Sequence, residues 1–363
     1  MEAPPAGQRL GRRAWLCAAL AALPACGGGG KPPLPPTPPP EPLHLDPLVD
    51  LVPSAGLEWL VVARPAELFR ALRLPLNLLV PPSGLERLAS YTGFDLRLAD
   101  ELLLASDGRS TLYLVRVAHD PALVEARFIE RLTDEPVRVR EGSSVVRVSG
   151  HAGAAHRSFA ALGGSVVAFE TGQPGLLRAA VAFARGRLKR ARPALGAEPL
   201  ASLARRLGDA PLRLYAVNPS RDAWPRGAHG LLQRALAAGL VASPSPEGLR
   251  LRGAALGTWD DPPSSALGRL EATLHDLGRS SLGRLTAFGE PLVPFSFRGD
   301  RDVIEAEGAL DAAKLAEGLH AMTSARLDEL FPPRPPGTPG ASPASPPGAP
   351  AQRPLPAPPS DPP

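Results

Sequence analysis

Cys26 is the residue whose chemistry the sequence defines best. It follows Arg9, Arg12 and Arg13 and an apolar run at 14–23, which is too short to cross a bilayer as a helix of about 20 residues. A basic start, a short apolar run and small residues before a cleavage point are typical of a secretory signal peptide. The stretch therefore predicts export, with the Cys26 thiol directly after the segment that is removed.

Leu23-Pro24-Ala25-Cys26 resembles the lipobox of bacterial lipoproteins. The resemblance implies that the Cys26 thiol takes a diacylglycerol through a thioether and that a peptidase cuts just before it. Residues 1–25 would be the signal peptide and 26–44 the lipidated cysteine with a Gly/Pro-rich spacer. Cys17, the other cysteine, lies in the removed segment, which suits an oxidising compartment. The alternative is an ordinary signal peptide with an incidental cysteine.

The export route and the final location are less closely specified. Arg12-Arg13 also resembles a twin-arginine signal, so the Sec and twin-arginine routes both stay open. No aspartate follows Cys26, which favours the outer membrane, with the domain facing the periplasm. The net charge of +4 is small for 363 residues, so we expect no nucleic-acid partner. The expected partners are the membrane, through lipidated Cys26, and an envelope protein that the sequence does not identify.

Proline-rich composition marks the two ends of the folded region. The spacer and residues 332–363 are too rich in proline to form helices or strands, so we expect a stalk and a disordered tail. Residues 45–331 are long enough for a sizeable core. We divide them into a first α+β lobe at 45–190 and a second at 191–331.

Apolar periodicity predicts an α+β fold. Asp107-Gly108 and Gly163-Gly164 lie between apolar runs, as turns of antiparallel hairpins do. Val124, Phe128 and Leu132 share one face of a predicted helix. We also predict a helix at 230–240. The expected architecture is hairpin-rich antiparallel sheets with helices on one face, in two related lobes divided near residues 187–210. One continuous sheet is the alternative.

Two short stretches are loosely similar to uncharacterised exported α+β proteins of high-GC bacteria. They are Ala63 to Leu68 and Thr92 to Leu96, whose counterparts read A-R-P-A-E-L and T-G-F-D-L. The resemblance implies the same kind of fold, and it brings no activity with it.

Few residues combine into a chemical motif. His151 and His156 have four residues between them, in a stretch rich in glycine and alanine. No cysteine and no acid pair at metal-ligand spacing accompanies them, so we interpret them as turn residues of a hairpin connection. Asp260-Asp261 is interpreted as a strand end before a capped helix. We expect no catalytic residues, no metal and no cofactor.

One basic run is a candidate surface site. It follows a predicted helix and comprises Arg185, Arg187, Lys189, Arg190 and Arg192. Such a run could contact anionic lipid headgroups on a tethered protein. The alternative is a solvated helix end whose cations lie near the C-terminal dipole.

These features favour a non-enzymatic, membrane-anchored envelope lipoprotein that serves as a protein-interaction or assembly module. A carrier or sensor of a lipid-like ligand, held in an apolar groove, is the second hypothesis. An enzyme without a recognisable motif is the third.

Overall fold

The computed structural model describes residues 42–72, 82–142, 144–188, 190–219, 228–259, 263–318 and 320. They belong to one compact unit. Cys26, the signal peptide and the proline-rich tail lie outside the described residues, so what the sequence predicts for them stays a prediction.

Twelve strands of different lengths form one antiparallel sheet, and the fold is α+β as predicted. The strands are β1 (Trp59–Ala63), β2 (Glu101–Ser106), β3 (Ser110–Arg116), β4 (Val137–Glu141), β5 (Val145–Ala152), β6 (Ala155–Leu162), β7 (Val166–Gly172), β8 (Leu212–Val217), β9 (Ala235–Ser245), β10 (Gly248–Gly257), β11 (Val293–Asp300) and β12 (Val303–Leu310). Their order across the sheet is β11-β12-β10-β9-β8-β1-β2-β3-β7-β6-β5-β4.

The helices connect strands or follow hairpins. They are α1 (Pro65–Leu72), α2 (Pro82–Thr92), α3 (Pro121–Ile129), α4 (Leu176–Ala184), α5 (Leu200–Leu207), α6 (Pro263–Arg279) and α7 (Ser281–Leu285). Residues 312–318 are also helical. α3 shows how a helix begins: Asp120 accepts a hydrogen bond from the backbone N–H of Ala122 at 2.9 Å, and Pro121 occupies the first turn.

The predicted hairpin at Asp107-Gly108 is confirmed. Oδ1 of Asp107 accepts hydrogen bonds from the backbone N–H groups of Arg109 at 2.9 Å and Ser110 at 2.7 Å. Gly108 has φ +76°, a conformation that glycine adopts without steric cost. The turn therefore fixes the register in which β2 and β3 pair.

The two predicted lobes are not confirmed, because β1 pairs with β8 and joins both halves into one sheet. The halves do share a topology. In each, a central strand is followed by a hairpin, then by a helix that leads to the sheet edge, and the chain returns strand by strand toward the centre. The similarity between halves is therefore a repeat within one sheet.

The first face of the sheet, which carries Leu60 and Val62 of β1, is covered along most of its width. α4 and α5 bury their apolar sides in a single hydrophobic cluster. That cluster extends from Val145 on β5 to Ala254 on β10, with Tyr215 of β8 fully buried near its middle. This layer is the largest apolar core among the described residues.

The second face, which carries Trp59 and Val61, is covered near its two ends. α3 buries Val124 and Phe128 against β6 and β7. On the other side, α6 packs on β10 and β12. Helices thus lie on both faces, and the prediction of helices on one face is wrong. Consecutive residues of β6 are buried, and since neighbouring side chains of a strand point to opposite faces, both faces need a cover.

The predicted helix at 230–240 is also wrong, since β9 runs from Ala235 to Ser245. The stretch is rich in alanine, which favours helices in isolation. In this strand, the small residues allow α5 to pack closely against the sheet. A β-carbon on Gly239 would lie 2.6 Å from Leu207 of α5 and 3.1 Å from the Tyr215 ring. The close approach of α5 to the sheet therefore requires a small residue in this strand.

Candidate functional site

The structure divides the basic run that the sequence singled out. Nη1 of Arg185 lies 3.0 Å from Oε2 of Glu141, and the Arg185 side chain is 11% exposed. The ion pair joins the end of α4 to β4, so Arg185 is held in the fold and is not presented as a lipid contact. Lys189 lies outside the described residues. The exposed members of the run are Arg187, Arg190 and Arg192. Their contact with anionic headgroups stays a prediction.

His151 and His156 are cross-strand partners in the β5–β6 hairpin, with ring centroids 5.4 Å apart. Nδ1 of His151 lies 2.7 Å from Oδ2 of Asp134, whose Oδ1 accepts a hydrogen bond from the His151 backbone N–H at 2.6 Å. Within the described ranges, no group of three or more His, Cys, Asp or Glu side chains is placed to hold a metal ion. Asp260 and Asp261 lie outside those ranges.

The best candidate for a binding surface is a line of apolar side chains across the middle of the second face. The register aligns one residue from each of five adjacent strands, β3, β2, β1, β8 and β9. We call this line the apolar row; its members are Tyr113, Leu104, Val61, Leu214 and Leu240. Because side chains alternate along a strand, all five point to the same side of the sheet.

The members of the apolar row are open to solvent to an unusual degree. Tyr113 is 37%, Leu214 41% and Leu240 37% exposed, while Leu104 and Val61 are partly buried. Large apolar side chains exposed singly are common, but a contiguous set marks an interaction surface more often. The register makes this set contiguous, since each member is the direct partner of the next.

Packed side chains border the apolar row on both sides. At the β3 end, Tyr113 pairs with Phe169, which contacts the rings of Phe94 and Phe128 at centroid distances of 6.3 Å. On β9, Leu68 of α1 packs in a cluster around Ala242, which lies two residues along the strand from Leu240. Four inter-strand spacings separate β3 from β9, about 19 Å in all. The apolar row is therefore about 19 Å long, the length of about 13 residues of α-helix.

The sequence reasoning missed the apolar row, although a local signal exists. β1 is apolar at every position. Leu60 and Val62 are buried on the first face, and Trp59 and Val61 make the second face apolar as well. Such continuous runs are typical of strands buried on both faces. Here the second face is apolar and yet remains partly exposed.

None of the helices in the described segments has both the length and the apolar character that crossing a membrane requires.

Comparisons with known proteins leave the chain without a family. No family model and no curated protein matches it. Among solved structures, crystal forms I and III of TP0453 are similar at TM-scores of 0.44 and 0.46, with 11% and 10% identity. Each alignment covers 77% of this chain, and 98% and 99% of the respective TP0453 chains. Values this low support no inference about function.

Adjacent residues of β8 provide a test of the two faces. Tyr215→Ala should lower the free energy of unfolding by about 3–5 kcal/mol, because it empties a fully buried site on the first face. Leu214→Ser should change it by no more than about 0.5 kcal/mol, because Leu214 is exposed on the second face. Urea unfolding monitored by circular dichroism measures both.

Tyr215→Phe is the matched control for the first substitution. The Tyr215 hydroxyl is buried and has no hydrogen-bond partner among the described residues, and its burial raises the pKa of Tyr215. Removing the hydroxyl should leave stability unchanged or raise it. Equal losses for Tyr215→Ala and Leu214→Ser would contradict the assignment of the two faces.

Asp134 provides a test that depends on pH. Hydrogen bonds from the backbone and ring of His151 lower the pKa of Asp134 from its ordinary value of 3.8. A carboxylate with a lowered pKa stabilises the fold above its unfolded pKa, and this stabilisation is lost as pH falls through the folded pKa. The stability difference between wild type and Asp134→Asn should therefore be larger at neutral pH than at pH values below the lowered pKa.

Chemical denaturation at several pH values measures that difference. Asp100→Asn, which removes a carboxylate at an exposed position, is the control variant and is measured alongside. A difference between wild type and Asp134→Asn that is the same at every pH would contradict the role of the carboxylate.

Proposed function

We propose that this chain is an exported envelope lipoprotein, anchored through lipidated Cys26, whose folded region binds a partner protein through the apolar row. In this proposal it acts as an interaction or assembly module and has no catalytic role. The sequence Leu23-Pro24-Ala25-Cys26 and the Gly/Pro-rich spacer support the anchor. The exposed apolar row supports the interaction, and it is the observation that carries the proposal.

The chemistry of the apolar row defines the kind of partner. Its five strands are paired on both sides, so their backbone N–H and C=O groups are engaged in the sheet. A partner therefore cannot add a strand there and must bind through side chains. No member of the row is charged, so the complementary surface is apolar. The row is about 19 Å long and runs across the strands, which favours an amphipathic helix of the partner lying along it.

The size of the apolar row suits the centre of an interface. A typical interface buries about 800 Å² on each partner, with an apolar core and a polar rim. Tyr113 lies at one end of the row, and tyrosine is a frequent energetic hot spot at interfaces. Arg70 on α1 and Glu86 on α2 are exposed and could contribute to a rim. α1 packs on the second face through Leu68, and α2 contacts α3, which also lies on that face.

The carrier hypothesis finds less support in the packing. An interior groove would have to lie between a sheet face and its helices. On the first face, that space is occupied by buried leucine, valine and alanine side chains from the sheet, α4 and α5. An apolar ligand would therefore have to bind on the apolar row as well, and the crosslinking experiment below distinguishes the two occupants.

The anchor is tested by the distribution of the protein between membrane and soluble fractions. Cys26→Ser removes the thiol that would take the lipid, so the variant should move from the membrane to the soluble fraction. Cys17→Ser is the matched control, because Cys17 lies in the segment that would be removed, and it should stay membrane-bound. A Cys26→Ser protein that fractionates with the membrane would show that the lipoprotein proposal is wrong.

The interaction is tested by photo-crosslinking in intact cells. A photoreactive phenylalanine analogue at Leu214 or Leu240 should give an adduct with one envelope protein, and the crosslinked peptide should belong to an amphipathic helix. Leu123, 44% exposed on α3, is the matched control position and should not give that adduct. Leu214→Arg should abolish the complex, since it places a charge in the apolar contact.

Three crosslinking results would contradict this proposal. They are an adduct equally strong from position 123, an adduct with a second copy of the chain, and an adduct with lipid alone. The last of these would favour the carrier hypothesis. Unchanged complex formation by Leu214→Arg would also exclude the apolar row as the contact.

A further inference from the structure

A polar cavity lies on the first face, at the end of the sheet formed by β4 to β7. Its volume is about 120 Å³, and the N-terminal end of α4 closes one side. The polar residues that line it are Arg147, Ser149, His156, Ser158, Glu170 and Arg178. Since a site for one water occupies roughly 10–15 Å³ by a comparable measure, the cavity has room for a small molecule.

Three of these residues are aligned by the strand register. Ser149 on β5 is the partner of Ser158 on β6, and Ser158 is the partner of Glu170 on β7. Two hydroxyls and a carboxylate therefore lie in one line, about 4.8 Å from strand to strand. The alignment places both donors and acceptors on the floor of the cavity.

Glu170 is the most informative residue of the cavity, because it is only 1% exposed. Its Oε1 accepts hydrogen bonds from the backbone N–H groups of Gly175 at 3.0 Å and Leu176 at 2.7 Å. The start of α4 thus fixes the carboxylate. Its Oε2 is buried and has no hydrogen-bond partner among the described residues. A buried carboxylate oxygen is costly without a donor, so a ligand that carries one would be favoured.

The opposite side of the cavity is basic. Arg178 is exposed on the first turn of α4, where the positive end of the helix dipole adds to its charge. Nδ1 of His156 is buried and meets no hydrogen-bond partner in the described part of the chain. Arg147 is held by Glu141, with Nε 2.7 Å from Oε1. The rim therefore favours an anionic group, while Glu170 favours a cationic donor.

We propose that this cavity binds a small zwitterion, with its ammonium group on Oε2 of Glu170 and its anionic group near Arg178 and His156. The ammonium would donate to Glu170 and to the Ser158 hydroxyl, and charge-assisted hydrogen bonds of this kind are the strong ones. The cavity volume limits the spacer between the two charges to a few atoms. An α-amino acid and ethanolamine phosphate, the free form of a lipid headgroup, both have this chemistry.

This site is separate from the apolar row, which lies on the other face of the sheet. The zwitterion proposal does not depend on the anchor or on the partner helix. If the zwitterion proposal fails, the proposed function is unaffected. If the proposed function fails, the zwitterion proposal is unaffected.

Isothermal titration calorimetry of the full chain, purified in a non-ionic detergent, tests the proposal. Glycine and ethanolamine phosphate are the zwitterionic probes, and methylamine and acetate carry one charge each. At least one zwitterion should bind with one-to-one stoichiometry, at least about ten-fold more tightly than either single-charge probe. Tighter binding of glycine would identify an amino-acid site, and tighter binding of ethanolamine phosphate a headgroup site.

Two variants assign the binding to the cavity. Glu170→Gln should weaken it at least about ten-fold, because an amide nitrogen replaces the oxygen that accepts from the ammonium. Arg178→Gln should weaken it by about three- to ten-fold and, being exposed, should not disturb folding. Glu247→Gln, in the exposed β9–β10 turn, is the matched control and should bind as wild type does.

The proposal is overturned by either of two results. One is no binding of any zwitterion up to about 10 mM, which corresponds to negligible affinity. The other is unchanged binding by Arg178→Gln, which decides the matter even where Glu170→Gln fails to fold.

Discussion

The pairing of β1 with β8 is the constraint on which the rest of the structure depends. Trp59 pairs with Ala216 and Ala63 with Leu212, so five-residue β1 is bonded on one side to the first half of the chain and on the other to the second. The closure of a loop of about 150 residues carries an entropic cost, which the buried layer on the first face must offset. Leu60 and Tyr215 are partners across this junction, and both are fully buried.

The described helices do not cover a sheet of twelve strands completely on both sides. The first face takes α4 and α5, which share a continuous apolar layer with the strands. On the second face, α3 and α6 lie near the two ends, over Phe159 and Ile304, and α1 packs through Leu68 beside the apolar row. The middle strands are apolar there too, because the strands of this junction carry Val61 and Leu214. The apolar row is thus a consequence of where the helices are placed.

Much of the local structure could be predicted from the sequence, because turn chemistry is local. Asp107 and Gly108 define a hairpin whatever surrounds them. β9 could not be predicted in this way. Its alanines and Gly239 are small because α5 packs closely against this strand, and that contact is a tertiary effect which local sequence does not show. The apolar row could not be predicted from the sequence either. Its residues come from positions 61 to 240, and only the register of five strands brings them together. The site around Glu170 had one local signal in the sequence, which is an acidic residue at a buried position of the otherwise apolar strand β7.

The strand β7 shows how one sheet separates two kinds of surface. Phe169 points to the second face, where it is the partner of Tyr113 at the end of the apolar row. Glu170, the next residue, points to the first face and the polar cavity. Because neighbouring side chains of a strand lie on opposite faces, the two surfaces are adjacent in sequence and yet are separated by the backbone layer. A partner on one face would therefore leave the other accessible, and any effect of one ligand on the other would have to pass through the position of β7 itself.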